Sequence, residues 1–252
     1  MQFISKLKTA KVLRSASAAG LTLMALLSPS PATANPSNVL FNAPPPPSGL
    51  GAPTGRRDGG ASRGNCPDYG NLAALVPIVE GTVWGQTTTA QPTLWFYLPA
   101  TVTPEQPIEL VVQAANDDVL YMTTLAVDAA AGNIAIALPK TITLPIGEPH
   151  YWTLALYCDP EQPASSVFVR GTIERVAADG VEPLLVDTVP SLSLAQDYAN
   201  AGVWHDALTI LGALQQSDPA SSDSQTLWTA LLEQVGLAAA ATAPIQPCCE
   251  AE

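Results

Sequence analysis

The amino-acid sequence predicts a mainly β fold, an antiparallel immunoglobulin-like β-sandwich, followed by an α-helical hairpin. Three observations predict it. Between Asn71 and Val176, short stretches rich in β-branched and aromatic residues alternate with turns containing Pro, Gly and Asn. No helical period separates those stretches, so their pairing is expected to be mostly antiparallel. After about Gly180 the apolar spacing becomes helical, with Ala201-Gly202 and Asp218-Pro219 as breaks.

Strands are expected at Thr93–Leu98, Ile108–Gln113, Val119–Val127, Asn133–Leu138, Tyr151–Cys158 and Val167–Val176. Their separators, such as Asn116-Asp117-Asp118 and Pro145–Pro149, are turn chemistry: Pro lacks a ladder donor, and Gly or Asn tolerates positive φ. In the last strand Val167, Val169 and Ile173 share one face, while Phe168, Arg170, Thr172 and Glu174 share the other. Thr93–Leu98 is apolar on both faces. It is therefore expected to be a central strand, with one face in the core and the other covered by a loop or by the C-terminal helices.

Helices are expected over Ser191–Asn200, Val203–Gln216 and Asp223–Val235. Trp204, Ala207, Leu208 and Leu211 fall on one stripe, which Leu192, Ala195 and Tyr198 would face across a short turn. The spacing of Ala195, Tyr198, Ala201-Gly202, Trp204 and Ala207-Leu208 resembles part of a tetratricopeptide repeat. A single repeat cannot bury its own face, so the hairpin is expected to pack on the sandwich.

The start of the chain reads as a signal peptide over residues 1–34. Lys6, Lys8, Lys11 and Arg14 form a basic region, Ala16–Leu27 is apolar, and Ala32-Thr33-Ala34 supplies a small-x-small cleavage pattern. An apolar run of about 12 residues is too short to span a bilayer. Residues 35–65, with Pro44–Pro47 and several glycines, read as a disordered linker. The sandwich is expected over 66–180, the hairpin over 181–237 and a flexible tail over 238–252. No apolar run long enough to cross a membrane follows the leader.

The formal charge of the whole chain is −12, and removing the four basic leader residues leaves −16. Such a chain repels phosphate backbones and anionic headgroups, which argues against nucleic-acid binding and polybasic membrane docking. Export implies an oxidising compartment, so Cys66 and Cys158, beside and within the β-region, are expected to form a disulfide. Cys248-Cys249 allows a vicinal ring, a cross-link between chains, or soft-metal binding with Glu250 and Glu252. Two thiolates without a histidine make a poor closed zinc site, however, so no metal is expected.

His150 and His205 are the only histidines, and neither accompanies a Gly-x-Ser-x-Gly or His-Glu-x-x-His motif. Asp117-Asp118 sits in a turn, where a solvated loop is the ordinary explanation. No catalytic constellation emerges, and no cofactor is expected. Of the tryptophans, Trp84 alone lies outside an apolar periodic run, which makes it the candidate for a sugar-stacking ring.

Several motifs in order carry a family resemblance. They are Arg56-Arg57-x-Gly59-Gly60-Ala61-Ser62-Arg63-Gly64-Asn65-Cys66-Pro67, Leu72-x-Ala74-Leu75-Val76-Pro77, Thr93–Pro99, Cys158-Asp159-Pro160, Gly171-x-Ile173-x-Arg175-Val176 and Tyr198-x-x-Ala201-Gly202-x-Trp204-x-Asp206-Ala207-Leu208. From about Arg56 to Gly236 the chain resembles the exported cyanobacterial proteins grouped as domain of unknown function 928. The resemblance implies a shared two-part architecture and an envelope or lumenal setting, with periplasm, thylakoid lumen and extracellular space all open. It brings no activity. The expected role is an exported binding or envelope-associated interaction protein with a protein or glycan partner; the alternative is a carbohydrate- or small-ligand-binding module.

Overall fold

The structure, a computed structural model, describes residues 40–48, 50, 55–59, 66–159, 161–162, 164–180 and 188–249. The signal peptide expected at 1–34 lies outside the described residues. Among the described residues, a 3-10 turn at Pro67–Tyr69 is followed by nine strands: β1 (Ala73–Ala74), β2 (Ile78–Val79), β3 (Thr82–Thr87), β4 (Thr93–Leu98), β5 (Ile108–Ala114), β6 (Val119–Leu125), β7 (Gly132–Ala137), β8 (Pro149–Tyr157) and β9 (Ser166–Arg175). Four helices follow: α1 (Leu192–Asn200), α2 (Trp204–Ser217), α3 (Ser222–Gln234) and α4 (Ala238–Ala241).

The strands form a three-stranded sheet in the order β1-β4-β7 and a six-stranded sheet in the order β2-β3-β9-β8-β5-β6. The chain is thus mainly β, with its helices at the C-terminal end. Every strand pair is antiparallel except one: β3 runs parallel to β9, with Trp84 opposite Thr172. No strand is expected from the sequence at β3, and parallel pairing is tied there to a helical crossover. Here five intervening strands, shared between the two sheets, supply the connection instead.

One apolar cluster lies where the sheets face each other. It takes Leu94, Phe96, Leu98, Ile134 and Ile136 from the smaller sheet, and Leu110, Val112, Trp152, Leu154, Val169 and Ile173 from the larger. A second cluster joins Trp95 and Leu75 to Tyr198, Trp204, Leu208, Leu211, Trp228 and Leu231 of the helices. Successive strand residues point to opposite faces, so β4 contributes to both clusters. That accounts for a stretch that is apolar on both sides. Trp95 meets Trp228 edge to face, with ring centroids 5.3 Å apart. Helix α2 lies close to this ring because residue 212 is glycine: a Cβ there would stand 2.4 Å from Trp95.

Residues 55–59 belong to the segment read as a linker, yet they strap the two sheets together. Arg56 exchanges main-chain hydrogen bonds with Arg170 of β9 at 2.8 and 2.7 Å, and Ala74 of β1 donates to the Arg57 carbonyl at 2.8 Å. The Arg56 guanidinium lies 4.9 Å from the Phe168 ring centroid. Arg57 donates from Nη1 to the Val235 carbonyl at 2.7 Å, where α3 ends and a cation is favoured. Further upstream, Phe41 stacks edge-on against Trp204 at 4.9 Å.

Cys66 and Cys158 form a disulfide with their Cα atoms 5.8 Å apart. It closes the strap region onto the end of β8.

Residues 238–249, within the segment expected to be a flexible tail, contain α4 and then run beside β7. The Asn133 main chain donates to the Pro244 carbonyl and accepts from Gln246, both at 2.8 Å. Its side-chain amide donates to the carbonyls of Ala240 at 2.8 Å and Ala243 at 3.1 Å. Asn133→Ala would leave the Ala243 carbonyl without this donor and the Ala240 carbonyl with only main-chain N–H groups. It is expected to cost about 1–2 kcal/mol and to speed hydrogen exchange at the amides of residues 240–246, measured by mass spectrometry. Unchanged exchange there would show that the side chain does not hold the segment.

Candidate functional site

A groove of about 1060 Å³ lies between the outer face of the smaller sheet, helices α2 and α3, and the C-terminal segment. Its floor comes from directly paired residues, Thr93 opposite Ala137 and Trp95 opposite Ala135. Pairing of this kind places all four side chains on one face of the sheet. Thr209, Ala213 and Gln216 of α2, spaced four and three residues apart, form one wall with Gln215, Pro219 and Gln225. Pro244, Ile245, Pro247 and the Cys248-Cys249 pair form the opposite wall.

Among the described residues, none that lines this groove carries a formal charge, although the chain has 22 acidic residues. The polar groups present are two threonine hydroxyls and three glutamine amides. Thr209 is already engaged, since its hydroxyl accepts from the Trp95 indole at 3.2 Å. Gln215 differs: its Nε2 is buried and has no hydrogen-bond partner. A buried donor left in that state costs free energy.

The structure distributes the other sequence candidates elsewhere. Cys248 and Cys249 bond to each other within the chain and contribute to the groove wall. Asp117 and Asp118 are exposed in the β5–β6 turn, where Asn116 Nδ2 donates to the Asp118 carboxylate at 2.7 Å. Among the described residues, no group of three or more His, Cys, Asp or Glu gathers as metal ligands would. Trp84 is fully buried and donates its indole N–H to the Pro44 carbonyl at 3.1 Å. It therefore offers no face to a sugar.

Both histidines are buried. His150 donates from Nδ1 to the Glu148 carbonyl at 2.9 Å, and burial lowers its pKa. His205, on α2, packs over Gly85 with neither ring nitrogen in a hydrogen bond of normal geometry. Burial lowers its pKa to about 3, offset only in part by the Thr93 main chain. It is neutral at physiological pH.

Beside it Asp206, also buried, accepts from Thr87 Oγ1 at 2.6 Å, Thr88 N at 2.8 Å, Thr89 Oγ1 at 3.3 Å, and the Thr88 hydroxyl. Burial raises its pKa, and those donors pull it partly back. This buried carboxylate ties α2 to the end of β3. The sequence showed it only as one letter of a motif.

The histidine yields a pH prediction. His205 binds a proton in the unfolded chain below about 6.5 but in the folded chain only near 3, so its contribution is complete above 6.5 and is lost as pH falls between those values. His150 acts in the same direction. Asp206 opposes them, because a raised folded pKa makes stability fall as pH rises through its window. His205→Leu is expected to remove up to about 1.4 kcal/mol per pH unit from the acid slope between pH 6 and 4, read from urea melts at each pH. An unaltered slope would contradict a buried, unprotonated imidazole.

These features define a two-sheet β protein with a helical cover and a groove lined, among the described residues, by apolar and amide groups. A family profile described as Domain of Unknown Function (DUF928) matches residues 58–245, and the chain belongs to that family. The matched range includes both sheets, the helices and most of the groove. No curated protein and no solved structure matches the chain.

Proposed function

We propose that this chain is an exported binding protein whose groove holds an uncharged, hydroxyl-bearing ligand of the neutral-saccharide type. The observation that carries the reading is the lining: among the described residues no charge, a mix of apolar and amide groups, and one buried glutamine donor without a partner. Amides both donate to and accept from hydroxyls, and proline, alanine and isoleucine surfaces suit the C–H faces of a sugar ring. A neutral ligand also avoids the desolvation that charged groups suffer in such a site.

Export, with residues 1–34 removed as a signal peptide, is part of the proposal. The Cys66–Cys158 disulfide supports it, since such bonds persist in oxidising compartments. No helix among the described residues is long and apolar enough to cross a membrane. We read the two facing sheets as an immunoglobulin-like sandwich and α1–α2 as a tetratricopeptide-like hairpin. The second reading draws support from fully buried Ala195, Tyr198, Trp204, Ala207 and Leu208, and from Gly202 at φ 80° between the helices.

A glycan array carrying neutral and anionic saccharides, followed by calorimetric titration of the hits, tests the proposal. Neutral glycans are expected to bind, and Ala213→Trp, which fills the groove from a partly exposed helix position, is expected to weaken them at least tenfold with the thermal transition unchanged. Absence of neutral hits, or affinity untouched by that variant, would overturn the reading.

A further inference from the structure

The larger sheet ends in an open strand. β6 hydrogen-bonds to β5 on one side and, among the described residues, pairs with nothing on the other. Its register shifts at Leu120, leaving Tyr121–Leu125 as a regular run with an unused row of main-chain donors and acceptors. Exposed edges are ordinarily guarded by a charged residue or a proline within the strand, and Val119–Leu125 has neither. Apolar side chains stand out instead: Val119 is 56% exposed, Leu120 39% and Met122 63%.

Charge is placed only at the ends of this strand. Asp117 and Asp118 precede it and Asp128 follows it, all exposed. A second copy added antiparallel across this edge would set Asp117 and Asp118 against the other copy's Asp128, and like charges in close cross-strand positions repel. An incoming strand with basic residues at both ends meets the opposite situation.

We propose that β6 is a docking edge for an extended segment of a partner protein, one with alternating apolar residues at its centre and Lys or Arg at each end, added as a further antiparallel strand. Main-chain hydrogen bonds along Tyr121–Leu125 hold it, Met122 and Val119 supply apolar contact, and the flanking aspartates select its charge. This surface is separate from the groove, and neither proposal depends on the other.

The probe is a synthetic peptide of alternating valine and threonine with two lysines at each end. A glutamate-ended copy and a copy with a central proline serve as controls. Anisotropy titration is expected to show binding of the lysine-ended peptide at least tenfold tighter than either control, weakening as salt rises. Hydrogen exchange is expected to slow at β6 amides. Met122→Lys, on an exposed side chain, and the combined Asp117→Asn, Asp118→Asn and Asp128→Asn variant should each lose at least fivefold in affinity, with unaltered circular dichroism. Equal binding of the glutamate-ended peptide, protection away from β6, or β6 protection that depends on protein concentration without peptide would overturn the proposal, the last in favour of a second copy.

Discussion

Asp206→Ala is expected to destabilise the protein by about 3 kcal/mol or more, a drop of roughly 6–12 °C in Tm for a domain of this size. The carboxylate receives Thr87 Oγ1, the Thr88 main-chain N–H and the Thr89 hydroxyl, and it also receives the Thr88 hydroxyl; Thr87 itself is fully buried. Alanine leaves these donors without an acceptor and removes the side-chain link between α2 and the end of β3. Asp206→Asn separates the charge from the geometry. Hydroxyls can turn to accept from an amide nitrogen, but the Thr88 N–H can only donate, so asparagine should lose about half as much as alanine. Chemical denaturation of both variants reads the difference. A change under 1 kcal/mol for alanine would mean that apolar packing around Trp204 and Leu208 holds the helix without this network.

Loss of the Cys66–Cys158 disulfide is the second large effect. The bond spans a sequence separation of 92, and closing such a loop in the unfolded chain is worth about 4 kcal/mol in the chain-entropy treatment. Cys66→Ser with Cys158→Ser is therefore expected to lower Tm by roughly 8–16 °C. Cys248 and Cys249 are adjacent, and a bond between neighbours closes almost no loop. Reduction should consequently shift the wild-type protein about as far as the double substitution does, while scarcely moving the double variant. A wild-type protein whose melt ignores the reductant would show that the strap and the sheets are held without the covalent tie.

Local elements were the legible part of this fold. β4 occupies Thr93–Leu98, as its apolar run and flanking prolines indicate, and the face alternation of Val167–Ile173 reappears in β9. The helices begin and end within a residue or so of the expected positions, because Ser191 and Ser221 cap α1 and α3 by accepting from main-chain N–H groups. β3 escaped notice because Thr82–Thr87 carries a glycine and two polar threonines, and its partner in β9 comes far later in the chain. Such parallel pairing leaves no local period to detect. Residues 55–59 were hidden for a similar reason: their composition is that of a linker, and only their main-chain bonds to β9 and β1 make them structural.

The groove was less legible still. Its floor comes from β4 and β7, one wall from α2 and the other from the chain beyond α4. Thr209, Ala213 and Gln216 do stand at helical spacing opposite the Ala207, Leu208 and Leu211 stripe, but a small and polar stripe reads as a solvated face until something is seen to lie across from it. Tryptophan pointed the wrong way for a related reason. Trp84 stood outside any periodic run and is buried, whereas Trp95, deep in an apolar strand, turns one edge toward the groove.

The groove assignment is tested most directly by the five tryptophan indole N–H signals in a nitrogen–proton correlation spectrum, recorded as a neutral oligosaccharide is added. The Trp95 indole donates to Thr209 at the groove wall, while the Trp84 indole donates to Pro44. The account predicts that the Trp95 signal shifts progressively to saturation while the Trp84 signal stays in place. A ligand that moves Trp84 and leaves Trp95 unchanged would contradict it.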